Sequence, residues 1–159
     1  MEGVSVDIAK MHVVRAPVIL YALGLGSCVS VAMYDSVHRI GGMLHVLLPS
    51  SGGFDLRDHM STKFADSGIR AMYEAMLAAG ARRDRIRAKI AGGAAMFSPA
   101  PGEVTMGQRN VTQCKKALLE LGVAILAEDT GGNAGRSVIF YTDTGMMKVK
   151  TIAQGEIMI

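Results

Sequence analysis

Two residues carry the chemistry that this sequence is equipped to perform. Cys28 ends the stretch Gly24-Leu25-Gly26-Ser27-Cys28, and His45 lies on the next apolar run, beyond a polar turn at Asp35 to His38. A thiol with a pKa of about 8.5 is only a few per cent thiolate at neutral pH, whereas an adjacent imidazole that takes its proton makes it a competent nucleophile. The glycines before Cys28 add a second element. Backbone free of Cβ atoms at Gly26, followed by Ser27, can turn N–H groups toward a developing oxyanion, with the Cys28 N–H as the obvious donor. The bland uses of the same residues stay open at this point: a buried thiol as a small apolar side chain, and a strand imidazole as hydrogen-bonded structure.

The elements that must position this pair read as a β-hairpin. The run up to Tyr34 and the run from Arg39 to Leu48 flank a turn centred between Ser36 and Val37. That turn pairs Tyr34 with Arg39, Ala32 with Gly41, Ser30 with Met43 and Cys28 with His45, and puts Ser30 on the Cys28 face. Directly opposed side chains have Cβ atoms about 4.5–5.5 Å apart, within reach of thiol and imidazole. A bulge at Gly41-Gly42 would instead slip the register by one residue and separate the two side chains.

Around the hairpin, Val4 to Ile8 and Val18 to Leu23 read as buried strands. From about Met60 to Ala79, the residues Ala65, Ile69, Met72, Met76 and Ala79 share one helical face, and Gly80 supplies a C-terminal stop. Ile86, Ala88 and Ile90 alternate with Arg87, Lys89 and Ala91 as a strand with one wet face. Val111, Cys114, Leu118 and Leu121 mark a second helix, stopped by Gly122. Three closing strands follow, at Val123 to Leu126, Val138 to Tyr141 and Met147 to Ile152, so strand exceeds helix. The turn residues at Pro49 to Gly53 do not interrupt the apolar periodicity for long, and 1–159 reads as one domain.

Composition narrows the function classes. Half of the 159 residues are apolar, enough to bury one sizeable core. Twelve methionines read as core filler. The two cysteines, Cys28 and Cys114, show no disulfide framework and no metal-ligand spacing, so no metal or organic cofactor is expected. The apolar run from Ala16 to Gly26 is too short to span a bilayer and has neither basic leader nor cleavage site, which predicts a cytoplasmic protein without membrane insertion. The basic stretch Arg82, Arg83, Arg85, Arg87 and Lys89 has no interleaved aromatic residues, so no nucleic acid is expected; a solvated edge or a docking patch for an acidic protein remains. Cys114 sits on an apolar helical stripe and reads as structural. His12, in an early strand, His38, in the hairpin turn, and His59, before the first helix, have no evident partner. Gly92-Gly93 and Gly131-Gly132 match no phosphate-binding pattern and read as turns.

Six blocks taken together carry a family resemblance. Gly24-Leu-Gly-Ser-Cys28, His45-Val-Leu-Leu-Pro49, Lys63-Phe-Ala-Asp66, Ala88-Lys-Ile-Ala-Gly-Gly-Ala-Ala-Met-Phe97, Gly107-Gln-Arg-Asn110 and Asp129-Thr-Gly-Gly-Asn-Ala-Gly-Arg136 occur in this order over nearly the whole chain. The sequence thereby resembles the CheD family of chemoreceptor glutamine deamidases. The resemblance implies Cys28 as nucleophile and His45 as general base. It also implies a compact α/β fold with a β-sandwich-like core of mixed sheets and flanking helices, similar to the catalytic domain of cytotoxic necrotizing factor toxins. The implied substrate is glutamine on the cytoplasmic helices of chemoreceptors, and the implied second partner is a CheC-type phosphatase. An adaptor that docks on receptors and that phosphatase, with weak or vestigial catalysis, is the alternative reading. One departure bears on the site. The family usually has a threonine two residues before the first glycine of the GLGSC block, where its hydroxyl orients the histidine, and this chain has Ala22. Ser27, Ser30 or a backbone carbonyl is then expected to hold the ring. Phe64 and Ala91, where the family often has tyrosine and phenylalanine, read as packing changes.

Overall fold

The computed structural model describes residues 1–52 and 61–159. Its described elements run β1 (Gly3–Ser5), β2 (Met11–Arg15), β3 (Ile19–Leu25), β4 (Val29–Asp35), β5 (Ile40–Val46), α1 (Ala65–Ala78), β6 (Arg87–Gly92), α2 (Met106–Glu120), β7 (Ala124–Thr130), β8 (Arg136–Tyr141), β9 (Met146–Thr151) and β10 (Gly155–Met158). The strands form two five-stranded sheets, ordered β1-β3-β8-β9-β10 and β2-β5-β4-β6-β7. Both sheets are mixed, since β1 runs parallel to β3 and β7 parallel to β6. This is the expected α/β arrangement, with sheet facing sheet.

Strand alternation creates two cores. On one face of the second sheet, Val29, Val31, Met33, Leu44, Val46 and Ile90 pack with Ile69, Met72, Met76 and Leu118 from the helices. On the other face, Cys28, Ala32, Met43 and Ala91 meet Leu20, Ala22, Val138, Phe140 and Met147 of the first sheet. Many of the methionines are core, as expected, but Met96 and Met106 are exposed. β4 and β5 therefore form the central layer of three, covered on both sides. Gly41 marks how closely the sheets approach, because a Cβ there would lie 2.8 Å from Thr142 Cγ2.

The hairpin register differs from the sequence expectation by two residues. Ser30 opposes His45, Ala32 opposes Met43 and Tyr34 opposes Gly41, so Cys28 is not directly opposite His45. The cause is the turn. The Asp35 carboxylate accepts the Val37 N–H at 3.0 Å and the His38 N–H at 2.9 Å, also binds the His38 ring at 2.8 Å, and takes the Arg82 N–H at 2.9 Å. Arg39 then closes a loop over residues 36–39 at φ 59. A side chain that organises its own turn lengthens the loop beyond the two residues that spacing suggested. Because the shift is even, both side chains keep the same face, and no bulge interrupts β4 against β5.

Other expectations are corrected as well. The first strand stops at Ser5 and Ile8 is exposed, because the chain turns away through Ala9 at φ 63. α1 starts at Ala65 after a 3₁₀ turn at Ser61–Lys63, while Met60, His59 and Gly53 lie outside the described residues. α2 starts at Met106, before the apolar stripe, because Thr105 and Gln108 form a reciprocal capping box. β6 has no wet face. Lys89 and Ala91 are buried beneath the first sheet, and the Lys89 ammonium donates to the Ile159 carbonyl at 2.9 Å. β7 pairs in parallel with β6, while β8 and β9 belong to the other sheet, and β10 adds a strand that alternation did not reveal.

Burial by itself would raise the Asp35 pKa, but the N–H groups of His38 and Arg82 outweigh it and hold the carboxyl below its ordinary value. Its stabilisation is therefore complete above the ordinary carboxylate pKa of about 3.9 and is lost as pH falls through the folded value. Asp35→Ala is expected to lower stability by about 2–4 kcal/mol in urea unfolding at neutral pH. A change below about 0.5 kcal/mol would show that the turn does not depend on this carboxylate.

Candidate active site

Cys28 and His45 lie on the face of the central layer that looks toward the first sheet. His45 is the penultimate residue of β5 and 3 % exposed, and Cys28 is 8 % exposed just before β4. With Ser30 opposite His45, Cys28 is the diagonal neighbour, a relation that places Cα atoms about 7–8 Å apart and Cβ atoms somewhat closer. The imidazole is held from one side only. Its Nδ1 lies 3.0 Å from the Val6 carbonyl, while Nε2 is buried without a hydrogen-bond partner among the described residues. A carbonyl can only accept, so Nδ1 carries the proton, and Nε2 of the neutral ring presents a lone pair.

The group against the ring is the Val6 carbonyl, the backbone alternative expected with Ala22 lacking a hydroxyl. Ala22 is fully buried in the inter-sheet core. Val6 is fixed in turn by its own N–H, which donates to the Tyr21 carbonyl at 2.8 Å. Ser30 Oγ, facing His45 across the strands, is also buried and unpartnered among the described residues. No residue type in the sequence signals the Val6 contact, because it is made by backbone.

Burial lowers the His45 pKa below its ordinary value, with the Val6 carbonyl and the Asp7 charge opposing part of the effect. Burial also raises the Cys28 thiol. Both shifts favour uncharged forms, so the resting pair is thiol and neutral imidazole. Cys114 is fully buried on α2, and burial pushes its thiol far up, which agrees with a structural residue.

Backbone contacts shape the surroundings of Cys28. Its carbonyl accepts the Gly93 N–H at 2.8 Å, and the Gly26 carbonyl accepts the Ala94 N–H at 2.9 Å. Gly92, at φ 117, has no room for a Cβ against the Cys28 carbonyl. The glycine pair read as a turn is therefore also the close seat of the Cys28 backbone. Arg136 organises the neighbouring loop, donating to the Asp129 carbonyl at 2.7 Å, to Asp129 Oδ1 at 3.0 Å and to the carbonyls of Gly131 and Ala134. Beside Ser27 opens a cleft of about 260 Å³, bordered by Ala94, Met96, Phe97, Thr105 and Met106. Phe97 is 88 % exposed. Among the described residues no three His, Cys, Asp or Glu side chains are grouped as metal ligands, and no helix is long and apolar enough to cross a membrane.

Comparison with known proteins follows the same direction. Residues 47–151 match the family model described as CheD chemotactic sensory transduction. A protein of Moorella thermoacetica named probable chemoreceptor glutamine deamidase CheD is 46 % identical over 156 residues, covering 96 % of this chain and 93 % of the relative. A protein of Halalkalibacterium halodurans named chemoreceptor glutamine deamidase CheD is 42 % identical over 155 residues, covering 96 % of each chain. One of Thermotoga maritima with the same name is 42 % identical, covering 95 % of this chain and 93 % of the relative.

The directions of the pKa shifts give two expected outcomes. Iodoacetamide alkylation of Cys28 in the native protein should rise with pH, with a midpoint above the ordinary thiol value of about 8.5. A midpoint near neutrality would reveal a thiolate–imidazolium pair instead. The His45 contribution to stability should be complete above the ordinary histidine pKa of about 6.5 and be lost as pH falls through the folded value. Urea midpoints should therefore drop on acidification through that window, by less in His45→Gln. An equal drop in both proteins would exclude His45 as the source.

Proposed function

The chain belongs to the CheD family, and from that premise we propose that it hydrolyses glutamine side-chain amides to glutamate on the cytoplasmic helices of chemoreceptors. The observation that carries this reading is His45 Nε2, a buried lone pair without a partner among the described residues, on the face that His45 shares with Cys28. A lone pair so placed can serve the Cys28 thiol, its diagonal neighbour across the strands. The site works in the cytoplasm and needs no metal or cofactor for these steps.

Nε2 takes the Cys28 proton as Sγ attacks the carboxamide carbon, and the carbonyl oxygen gains the negative charge. The N–H groups along Gly26, Ser27 and Cys28 stabilise that charge. The C–N bond breaks as Nε2 returns the proton to the departing nitrogen, which leaves as ammonia, and a thioester remains. Water then adds to the thioester, giving a proton to Nε2. The C–S bond breaks, Sγ recovers the proton and glutamate is released. The Ser30 hydroxyl, opposite His45, holds that water. The Val6 carbonyl stabilises the imidazolium formed in each half-reaction and keeps the productive tautomer, which allows Ala22 to lack a hydroxyl.

The cleft beside Ser27 receives the substrate helix. Its apolar border, with Met96, Phe97 and Met106 exposed, suits one face of an amphipathic helix better than a free amino acid. The exposure of Phe97 also favours a second reading, in which the same border docks a CheC-type phosphatase.

Wild-type protein mixed with a recombinant chemoreceptor cytoplasmic fragment should release ammonia and add about one mass unit per modified glutamine, the change from amide to acid. Cys28→Ala should abolish both, and His45→Ala should lower kcat by about 10²–10⁴-fold. Deamidation that survives in Cys28→Ala ends the proposal. Retained binding of the fragment by that variant separates docking from chemistry.

A further inference from the structure

The Asn110 side chain, on α2, is completely buried and does not cap its helix. Its Nδ2 donates to the Ser27 carbonyl at 2.9 Å and to the Leu47 carbonyl at 3.1 Å. The first carbonyl immediately precedes Cys28, and the second lies just past the end of the strand that carries His45. The β4–β5 ladder has ended there, since its last pair is Val29 with Val46. One amide nitrogen thus replaces the next rung and ties the two reacting segments to the helix layer.

A planar trans peptide points its carbonyl and its N–H in opposite directions. Holding the Ser27 carbonyl on Asn110 therefore turns the Cys28 N–H of the same peptide away from α2. That N–H has no acceptor among the described residues, whereas the Cys28 carbonyl is taken by Gly93. Asn110 also leaves its own Oδ1 buried without a partner among the described residues. A side chain retained for packing alone would avoid such a cost, since an apolar residue of similar size leaves no orphaned atom of its own. We propose that Asn110 is a positioning residue that aims the Cys28 N–H at the oxyanion and holds Cys28 in place beside His45. This inference rests on the cysteine amidohydrolase reading.

The test compares two reactions of Cys28 in wild type, Asn110→Ala, Asn110→Leu and Cys114→Ala. Deamidation of a chemoreceptor cytoplasmic fragment needs the oxyanion donor; alkylation by iodoacetamide forms no oxyanion. All are measured below the melting range of every variant. Asn110→Ala should lose on the order of 10²-fold in kcat, with KM and the alkylation rate within about threefold of wild type. Asn110→Leu, which fills the same volume, should show the same split and is read in its place if the alanine variant does not fold. Cys114→Ala, a cavity on the same helix, should match wild type within about threefold in both reactions. A kcat unchanged in the Asn110 variants, an equal fall in both reactions, or failure of both variants to fold would overturn the positioning role. In those cases a Cys28-dependent wild type leaves the amidohydrolase reading intact. A wild type whose ammonia release does not depend on Cys28 overturns both.

Discussion

The pairing of β4 with β5 decides where every group of the candidate site stands. Seven consecutive residue pairs run without a bulge from Val29–Val46 to Asp35–Ile40. Successive pairs alternate, one sending both its side chains to the helices and the next sending both to the facing sheet. Cys28, which immediately precedes the ladder, Ser30 and His45 share the second face, so they are buried between the sheets. The turn that fixes this pairing is far from the site along the hairpin. It is set by one buried carboxylate, Asp35, which gathers N–H groups from its own loop and from Arg82. The close approach of the layers at Gly41 then holds the sheet against its cover.

Burial determines the electrostatic character of the pair. Both shifts favour neutral forms, so a resting thiol stands beside a neutral imidazole, and in the proposed reaction the proton would move as the sulfur attacks. Such a site trades resting nucleophilicity for protection, because a neutral buried thiol resists adventitious oxidation and alkylation. The ionic state formed during reaction needs stabilisation from fixed dipoles. In the proposed reaction backbone groups would supply them: the Val6 carbonyl on the imidazole side and the Cys28 N–H on the substrate side. Both are held beforehand, the first by its place after β1 and the second by the Asn110 contact to the Ser27 carbonyl, so no reorganisation would be needed as charge develops.

Much of the support around the site is therefore made by backbone. Ala22 fills the inter-sheet core, and the ring finds a carbonyl from the segment after β1. The side chains that matter beyond Cys28 and His45 act on that backbone. Arg136 gathers the carbonyls of the 129–134 loop, and Asn110 gathers those of Ser27 and Leu47.

The sequence by itself determined the candidate reacting groups, the face they share and the sheet-dominated fold. Side-chain chemistry and period-two alternation are local properties, so Cys28, His45 and their common parity were legible, as were the α1 stripe and the inert setting of Cys114. It also carried unread signals, such as the Thr105–Gln108 capping box that starts α2 early. Tertiary structure completed the two-residue register shift, because Asp35, besides organising its own loop, draws on Arg82, far along the chain. It alone buried both faces of β6 by laying a second sheet over Lys89. It alone chose the Val6 carbonyl as partner of the imidazole. A backbone group is the same at every residue, so its role follows from where the fold places it, and residue type cannot announce it.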